Sequence, residues 1–391
     1  MTLLAAAPVR RRWMVAYALA MIGVAAGWFG PIQILLPEQA ARLAGDGGKE
    51  ALLAVVTAWG AAASMVANPL WGMLSDRLGS RRPIFVAGTV VGVAGLLTLS
   101  AANTTPVMVT GWILVQVGLN GPLAALAALI GDRVPEQQRG TVGALFGVAQ
   151  IVGVILGTAV AVAVGDETLG YIAVAVAVPA LGATLLIINR EGAVVRSSKT
   201  RLRWPGGQFV WAWVIRFLLN LVNALVLVYL LYFLSDQVQV TDAATWVLVL
   251  TVVNVLFAGI CGFVGGMLSD RWERRKVFVV AGAILLAAGT TLMALAPTVP
   301  VVLVASALVG VGWGAYIAVD MAVITGVLPD AETRATMLGV ANIAGTLPQL
   351  LAPVLAAPIV TGLGGYRTLY LVTAAFALVA LILLPRLKTL R

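Results

Sequence analysis

The sequence predicts an all-α polytopic membrane protein, twelve transmembrane helices in two pseudo-symmetric six-helix bundles. Three observations carry that expectation. Hydrophobic residues make up 61% of the 391 and charged residues only 10%, with a mean hydropathy of +1.01. A soluble domain has roughly a quarter of its residues charged, so lipid is the main solvent of this chain. Apolar runs of spanning length recur twelve times. Finally, the hexapeptide GMLSDR occurs at 72–77 and again at 266–271, an offset of 194 (270 − 76), and GVAQIVG at 147–153 is echoed by GVANIAG at 339–345, an offset of 192. Two echoes at nearly one offset, about half the length, mean a duplicated half.

A helix needs about 20 apolar residues to cross a ~30 Å hydrocarbon core. The first run, 13–36, follows Arg10, Arg11 and Arg12 and starts like a signal peptide. Its spanning length and the runs behind it make it a retained first helix. Next come 51–74, which runs into the first GMLSDR copy, then 82–102 after the basic pair Arg81 and Arg82, and 107–130. The spans 140–164 and 168–189 are parted by little more than a turn at Asp166 and Glu167. The second half repeats the series as 208–234, 244–268, 277–296, 300–328, 336–361 and 366–385, with Arg274, Arg275 and Lys276 after the second GMLSDR. Barrel strands would be about 10 residues with strict alternation, and no segment alternates that way. Domains are therefore expected at 1–189 and 208–391. The linker 190–207 carries five basic residues and one acid, either a solvated loop or an amphipathic helix on the anionic inner leaflet.

Lys and Arg set the orientation. With the N-terminus inside, 21 of the 25 basic residues fall in cytoplasmic segments; Arg42, Lys49 and Arg367 are outside and Arg216 lies within the seventh span. The positive-inside rule thus puts both termini in the cytoplasm of a protein of the cell (inner or plasma) membrane. The same clustering between apolar runs argues that the net charge of +9 reflects topology rather than nucleic-acid binding.

A single cysteine, Cys261, excludes an intrachain disulfide and a multi-cysteine metal site. With no histidine, His-based hydrolytic triads, zinc catalysis and haem ligation through His are closed off. No P-loop pattern occurs. An enzyme is not expected, nor is a cofactor or a metal.

Twelve spans in two halves, with Gly72-Met-Leu-Ser-Asp76-Arg77-Leu-Gly79-Ser-Arg81-Arg82 between spans two and three, resemble the major facilitator superfamily. The second copy departs at Glu273, where the pattern has Gly79, and at Lys276, where it has Arg82. The resemblance covers essentially the whole chain. It implies secondary transport by alternating access, with an inter-half latch that holds the cytoplasmic side shut in the outward-open state. A carboxylate at Asp76 or Asp270 can accept charge-assisted hydrogen bonds and face the positive N-terminus of a helix of the other half. Arg77, Arg271, Arg139 and Arg334, the last two opening spans five and eleven, complete that set. The alternative is that the acids cap their own loops and the arginines only set topology.

Two departures bear on subtype. The stretch 114–120 of span four lacks the Arg of many proton-coupled members, and span five has Gly143, Gly147, Gly153 and Gly157 but not the Gly-Pro of drug–proton antiporters. Span eleven, with Gly339, Asn342, Pro348 and Gln349, is similar to that of the glycoside–cation symporter and sucrose-transporter branch.

Ionisable groups deep in a span are functional hypotheses by default. Asp320 is the one carboxylate well inside a span: a proton-coupling group, a static ion-pair or hydrogen-bond partner, or a direct substrate contact. Arg216 either snorkels to the inner interface or faces the cavity as a substrate or Asp320 partner. Neutral polar groups near mid-span are Asn120, Gln150, Asn220, Asn223, Asn254, Tyr316, Asn342 and Gln349, with Gln33 nearer the outer end of span one. Each either lines a solute site or joins helices. Trp28 and Trp313 are candidate stacking surfaces. Paired halves in membrane proteins commonly frame a central substrate path. The expectation is therefore a monomeric transporter of a small organic solute, with the proton as candidate coupling ion and a sugar-like solute favoured. Export of amphipathic compounds is the alternative, and a non-transporting receptor or scaffold a distant one.

Overall fold

A computed structural model describes residues 8–189, 206–272, 274–327 and 334–388, so nearly all of the expected linker lies outside the described residues. The chain divides into two units, Met1–Ser197 and Ser198–Arg391. In the first, the membrane-length helices are α1 (Arg11–Ala44), α2 (Lys49–Leu78), α3 (Arg82–Ser100), α4 (Thr105–Arg133), α5 (Glu136–Val164) and α6 (Glu167–Ile188). In the second they are α7 (Gly207–Val228), α8 (Ala243–Trp272), α9 (Arg275–Leu295), α10 (Val299–Gly326), α11 (Arg334–Gly362) and α12 (Gly365–Leu383). Twelve helices among the described residues are long and apolar enough to cross a membrane. Helix is the natural outcome, because in hydrocarbon the backbone amides must be satisfied within the protein and a helix does so within each segment.

Helix ends follow local chemistry. Gly79 (φ 63°) and Gly165 (φ 64°) take the left-handed conformation that closes α2 and α5. Asp166 caps α6 by accepting the Leu169 N–H at 2.8 Å, which lets two spans follow each other across so short a turn. Pro occupies the first turn of α3, α4 and α10, where no amide donor is needed.

Two spans differ from expectation. The first does not stop at 36: it passes through a π-helical stretch, Pro31–Leu35, and runs on to Ala44. Pro31 has no N–H, and the ladder re-registers around it. The polar last turns persist because they find partners. Gln39 Nε2 donates to the Leu99 carbonyl at 2.8 Å, Tyr171 donates to Gln39 Oε1 at 3.0 Å, and Arg42 pairs with Glu167. The seventh span breaks at Tyr229 (φ −123°, ψ 26°), continues as Leu230–Tyr232 and ends in a second π-helical stretch, Phe233–Val238. No Gly or Pro marks this break. Its anchors are tertiary: Phe233 meets Tyr370 edge-on at 4.8 Å, and Tyr366 donates to Asp236 Oδ2 at 3.1 Å.

Packing rests on small residues, as expected where lipid tails offer no hydrophobic drive between helices. On the α3–α4 crossing, a Cβ at Gly118 would lie 2.1 Å from the Gly92 nitrogen and one at Gly95 2.5 Å from the Val115 nitrogen. Those backbones touch, so any side chain there must part the helices. In the second unit, Gly310 and Gly314 of α10 face the Asn254 and Ala258 carbonyls of α8 at 2.4 Å from the would-be Cβ. Gly118→Val is therefore expected to lower stability by at least the ~1–3 kcal/mol of ordinary overpacking. Gly131→Ala, where nothing lies within 4 Å, should be neutral. Melting curves of the detergent-purified variants check both.

Candidate functional site

α7 and α10 carry the charged residues in the interior of the second unit. Arg216 lies nine residues into α7, roughly 14 Å at 1.5 Å per residue, and Asp320 six residues before the end of α10, roughly 9 Å. The two meet: Arg216 Nη1 is 2.6 Å from Asp320 Oδ2, with side-chain exposures of 12% and 8%. Of the readings for Arg216, the structure shows the partnership with Asp320, a carboxylate on the neighbouring helix. Tyr316, one turn earlier on α10 and fully enclosed, donates its hydroxyl to Asp320 Oδ1 at 2.5 Å. The carboxylate is thus held on both oxygens. Asn220 and Asn223 stand at i+4 and i+7 from Arg216, giving α7 a polar stripe. Asn220 Nδ2 donates back to the Arg216 carbonyl at 2.8 Å. Trp313 packs against Tyr316 with ring centres 5.5 Å apart.

The other polar residues singled out in the sequence are not gathered there. Gln33 accepts from Thr158 at 2.8 Å, joining α1 to α5. Asn120 Nδ2 donates to Ser64 Oγ and to the Gln116 carbonyl, both at 2.7 Å, joining α4 to α2. Asn254 Nδ2 reaches the Ser306 carbonyl at 3.3 Å, joining α8 to α10. Gln150 on α5 and Gln349 on α11 are exposed within their units, and the Asn342 side chain lies outside the described residues. Trp28 keeps a buried Nε1 without a hydrogen-bond partner among the described residues.

A second charged cluster closes the α2–α3 junction. Arg81 is buried, donating through Nη1 to Ser75 Oγ and Asp76 Oδ1, both at 2.7 Å, and through Nε to Asp132 Oδ2 at 2.8 Å. Burial works against its charge, but Asp132 and Asp76 outweigh burial and hold the guanidinium above its ordinary pKa. The observed partner of Asp76 is therefore its own loop. Arg77 and Arg271 are exposed, while the side chains of Asp270, Arg139 and Arg334 lie outside the described residues. Asp132 was missed by sequence reasoning. Its signal was an acid in the last turn of α4, next to the negative end of the helix dipole, a position that needs a cation nearby.

Asp76 is 57% exposed on its side chain and Asp132 only 18%. Water screens the first pair far more than the second. Asp132→Asn should accordingly cost about 2 kcal/mol or more, and Asp76→Asn under about 1 kcal/mol. Thermal melts of the two variants decide this, and equal losses would contradict the assignment of Asp132 as the main anchor.

Known proteins share this architecture. The family model of the Major Facilitator Superfamily matches residues 43–234 and 212–390. The inner membrane transport protein YajR of Escherichia coli (strain K12) is 25% identical over 169 residues, 40% of this chain and 37% of that relative. The match thus spans little more than a third of that relative. Among solved structures, the nucleoside transporter NupG aligns over 96% of this chain and 100% of its own, with a TM-score of 0.78 and 12% identity. The peptide transporter POT in complex with sulfate aligns over 98% and 97%, with a TM-score of 0.80 and 13% identity. A bacterial homologue of the human lysosomal transporter Spinster, inward-facing and occupied, aligns over 97% and 96%, with a TM-score of 0.76 and 14% identity. At such identities the likeness to solved structures is one of fold, whereas the family match runs through both halves. The chain belongs to the Major Facilitator Superfamily of membrane transporters.

Proposed function

We propose that the chain is a secondary transporter of a small organic solute, working by alternating access, with a proton as coupling ion at Asp320. The observation that carries this reading is the buried Arg216–Asp320–Tyr316 cluster. Charges inside a bundle are costly, and an apolar pair of similar volume would hold α7 to α10 at least as well. A carboxylate retained there beside a cation is suited to exchange of a proton during a transport cycle. A sugar-like solute fits the polar stripe of Asn220 and Asn223 and the Trp313–Tyr316 ring pair, together with the Asn342 and Pro348-Gln349 resemblance of span eleven. A nucleoside transporter and a peptide transporter share the fold.

The cation count supports a cell-membrane protein with both termini in the cytoplasm. On that orientation the α2–α3 junction lies on the cytoplasmic side, and the latch reading assigns Asp76 and Asp270 to closing it. Arg81 then presents Asp76 at the membrane edge, leaving the second carboxylate oxygen for a helix terminus.

Two outcomes test this. Asp76→Asn should cut uptake severalfold with membrane insertion intact and make the cytoplasmic side more accessible to labelling; unchanged rates and labelling would reduce Asp76 to a loop residue. Asp320→Asn should abolish concentrative transport driven by a proton gradient in proteoliposomes yet leave equilibrative exchange, since Asn mimics the protonated acid. The pH dependence of exchange should flatten in that variant. Concentrative transport that survives the substitution would remove Asp320 from the coupling role.

A further inference from the structure

A guanidinium presents five N–H donors in a planar fork. The described partners of Arg216 all fall on one arm: Nη1 meets Asp320 Oδ2 at 2.6 Å and the Met321 sulfur at 3.9 Å. Nε is buried and has no hydrogen-bond partner among the described residues. A buried donor without an acceptor is a standing cost, and native structures seldom keep one without a use. The Nε–Nη2 edge is also one on which a carboxylate can dock with two parallel hydrogen bonds. What adjoins that edge is a glycine: a Cβ built on Gly345 of α11 would lie 3.9 Å from both Arg216 Nη2 and Asn220 Oδ1. With Asn220 Nδ2 tied to the Arg216 carbonyl, its Oδ1 is turned to accept a hydroxyl beside the fork.

We infer that the Nε–Nη2 edge of Arg216 binds a carboxylate of the transported solute, an assignment that rests on the transport reading above. Charge counting selects the class. Arg216 is the one charged residue of α7, and Asp320 the one charged residue of α10. On the helices packed against α10, the charged groups stand at the ends: Asp270 and Arg271 on α8, Arg275 and Lys276 on α9, Arg334 on α11. Arg275 Nη1 is already given to the Ala322 carbonyl at 3.1 Å. The remaining titratable neighbours are Tyr316, bonded to Asp320, and Cys261 on α8. Arg216 and Asp320 together are neutral. A carboxylate monoanion joining them is balanced by one proton taken up from solvent on Asp320, leaving Arg216 to the solute. A phosphate dianion would leave an uncompensated negative charge. The solute class is thus a small carboxylate, with a hydroxyl within reach of Asn220, taken up with one proton.

The test uses the full chain in detergent, with glucuronate, lactate and benzoate each set beside its methyl ester and beside inorganic phosphate. At least one acid should stabilise the wild type saturably, more strongly at lower pH, while its ester does not. Arg216→Lys keeps a cation for Asp320 but loses the fork, so the Kd should rise tenfold or more. Gly345→Leu keeps both Arg216 and Asp320 in the chain and fills the Nε–Nη2 edge, and should abolish the shift. Asp320→Asn should bind the acid with no pH dependence. Stabilisation by none of the acids, by esters equally, by phosphate in preference, or undiminished in Gly345→Leu overturns the assignment. Proteoliposome uptake separates the two readings: a neutral solute moved without carboxylate binding sinks this inference alone, whereas binding without movement of any solute sinks the transport reading.

Discussion

Inside a hydrocarbon layer a backbone amide has no water to turn to, and this constraint shapes everything else in the chain. It makes each crossing a helix and leaves the helices to find each other without a hydrophobic drive. Close approach must then come from absent side chains, as at Gly118 against Gly92 and at Gly310 against the Asn254 carbonyl. Directional contacts come from the few polar groups allowed inside. Gln33 with Thr158, Asn120 with Ser64 and Asn254 with Ser306 each join two helices of one unit. Such bonds are worth about 0.6–2 kcal/mol each, modest terms that fix register more than they add stability.

The two guanidinium clusters show how the same side chain serves two ends. Arg81 is met by three acceptors from two helices, Ser75 and Asp76 of α2 and Asp132 of α4, and its Nε is occupied. A network satisfied in this way rigidifies its surroundings. Arg216 is met on one arm only, beside a glycine, with its Nε buried and unpartnered among the described residues. The first arrangement braces the junction at which the repeated motif sits. The second pairs a cation and an acid in the interior of the second unit. Both guanidinium groups are buried, and the difference between them lies at Nε, bonded in Arg81 and unpartnered among the described residues in Arg216.

Much of this was legible beforehand. Twelve spans, the duplication, and Asp320 and Arg216 as the interior charges all follow from apolar length and from where charge interrupts it, which are local properties. Of the residues proposed for a solute site, Asn220 and Tyr316 are bonded to the Arg216–Asp320 pair, and Asn223 stands two turns further along the same face of α7. Gln33, Asn120 and Asn254 were equally polar and equally central in the sequence, yet each is engaged in helix-to-helix hydrogen bonding. Periodicity gives the face of a helix, not which neighbour that face meets.

Asp132 and the break at Tyr229 mark the boundary most clearly. Nothing in the residues around 229 interrupts a helix; the break is held by Phe233, Tyr366 and Asp236, contacts with a segment about 130 residues further on. Asp132 finds Arg81 across 51 residues, and Asp320 finds Arg216 across 104. The sequence by itself determined how many times the chain crosses the membrane and which charges are stranded within it, since transfer into lipid is decided segment by segment. Only the tertiary structure decided which acid answers which cation and which donor is left over, because a charge interaction in a low-dielectric interior falls to whichever group packing brings within about 3 Å.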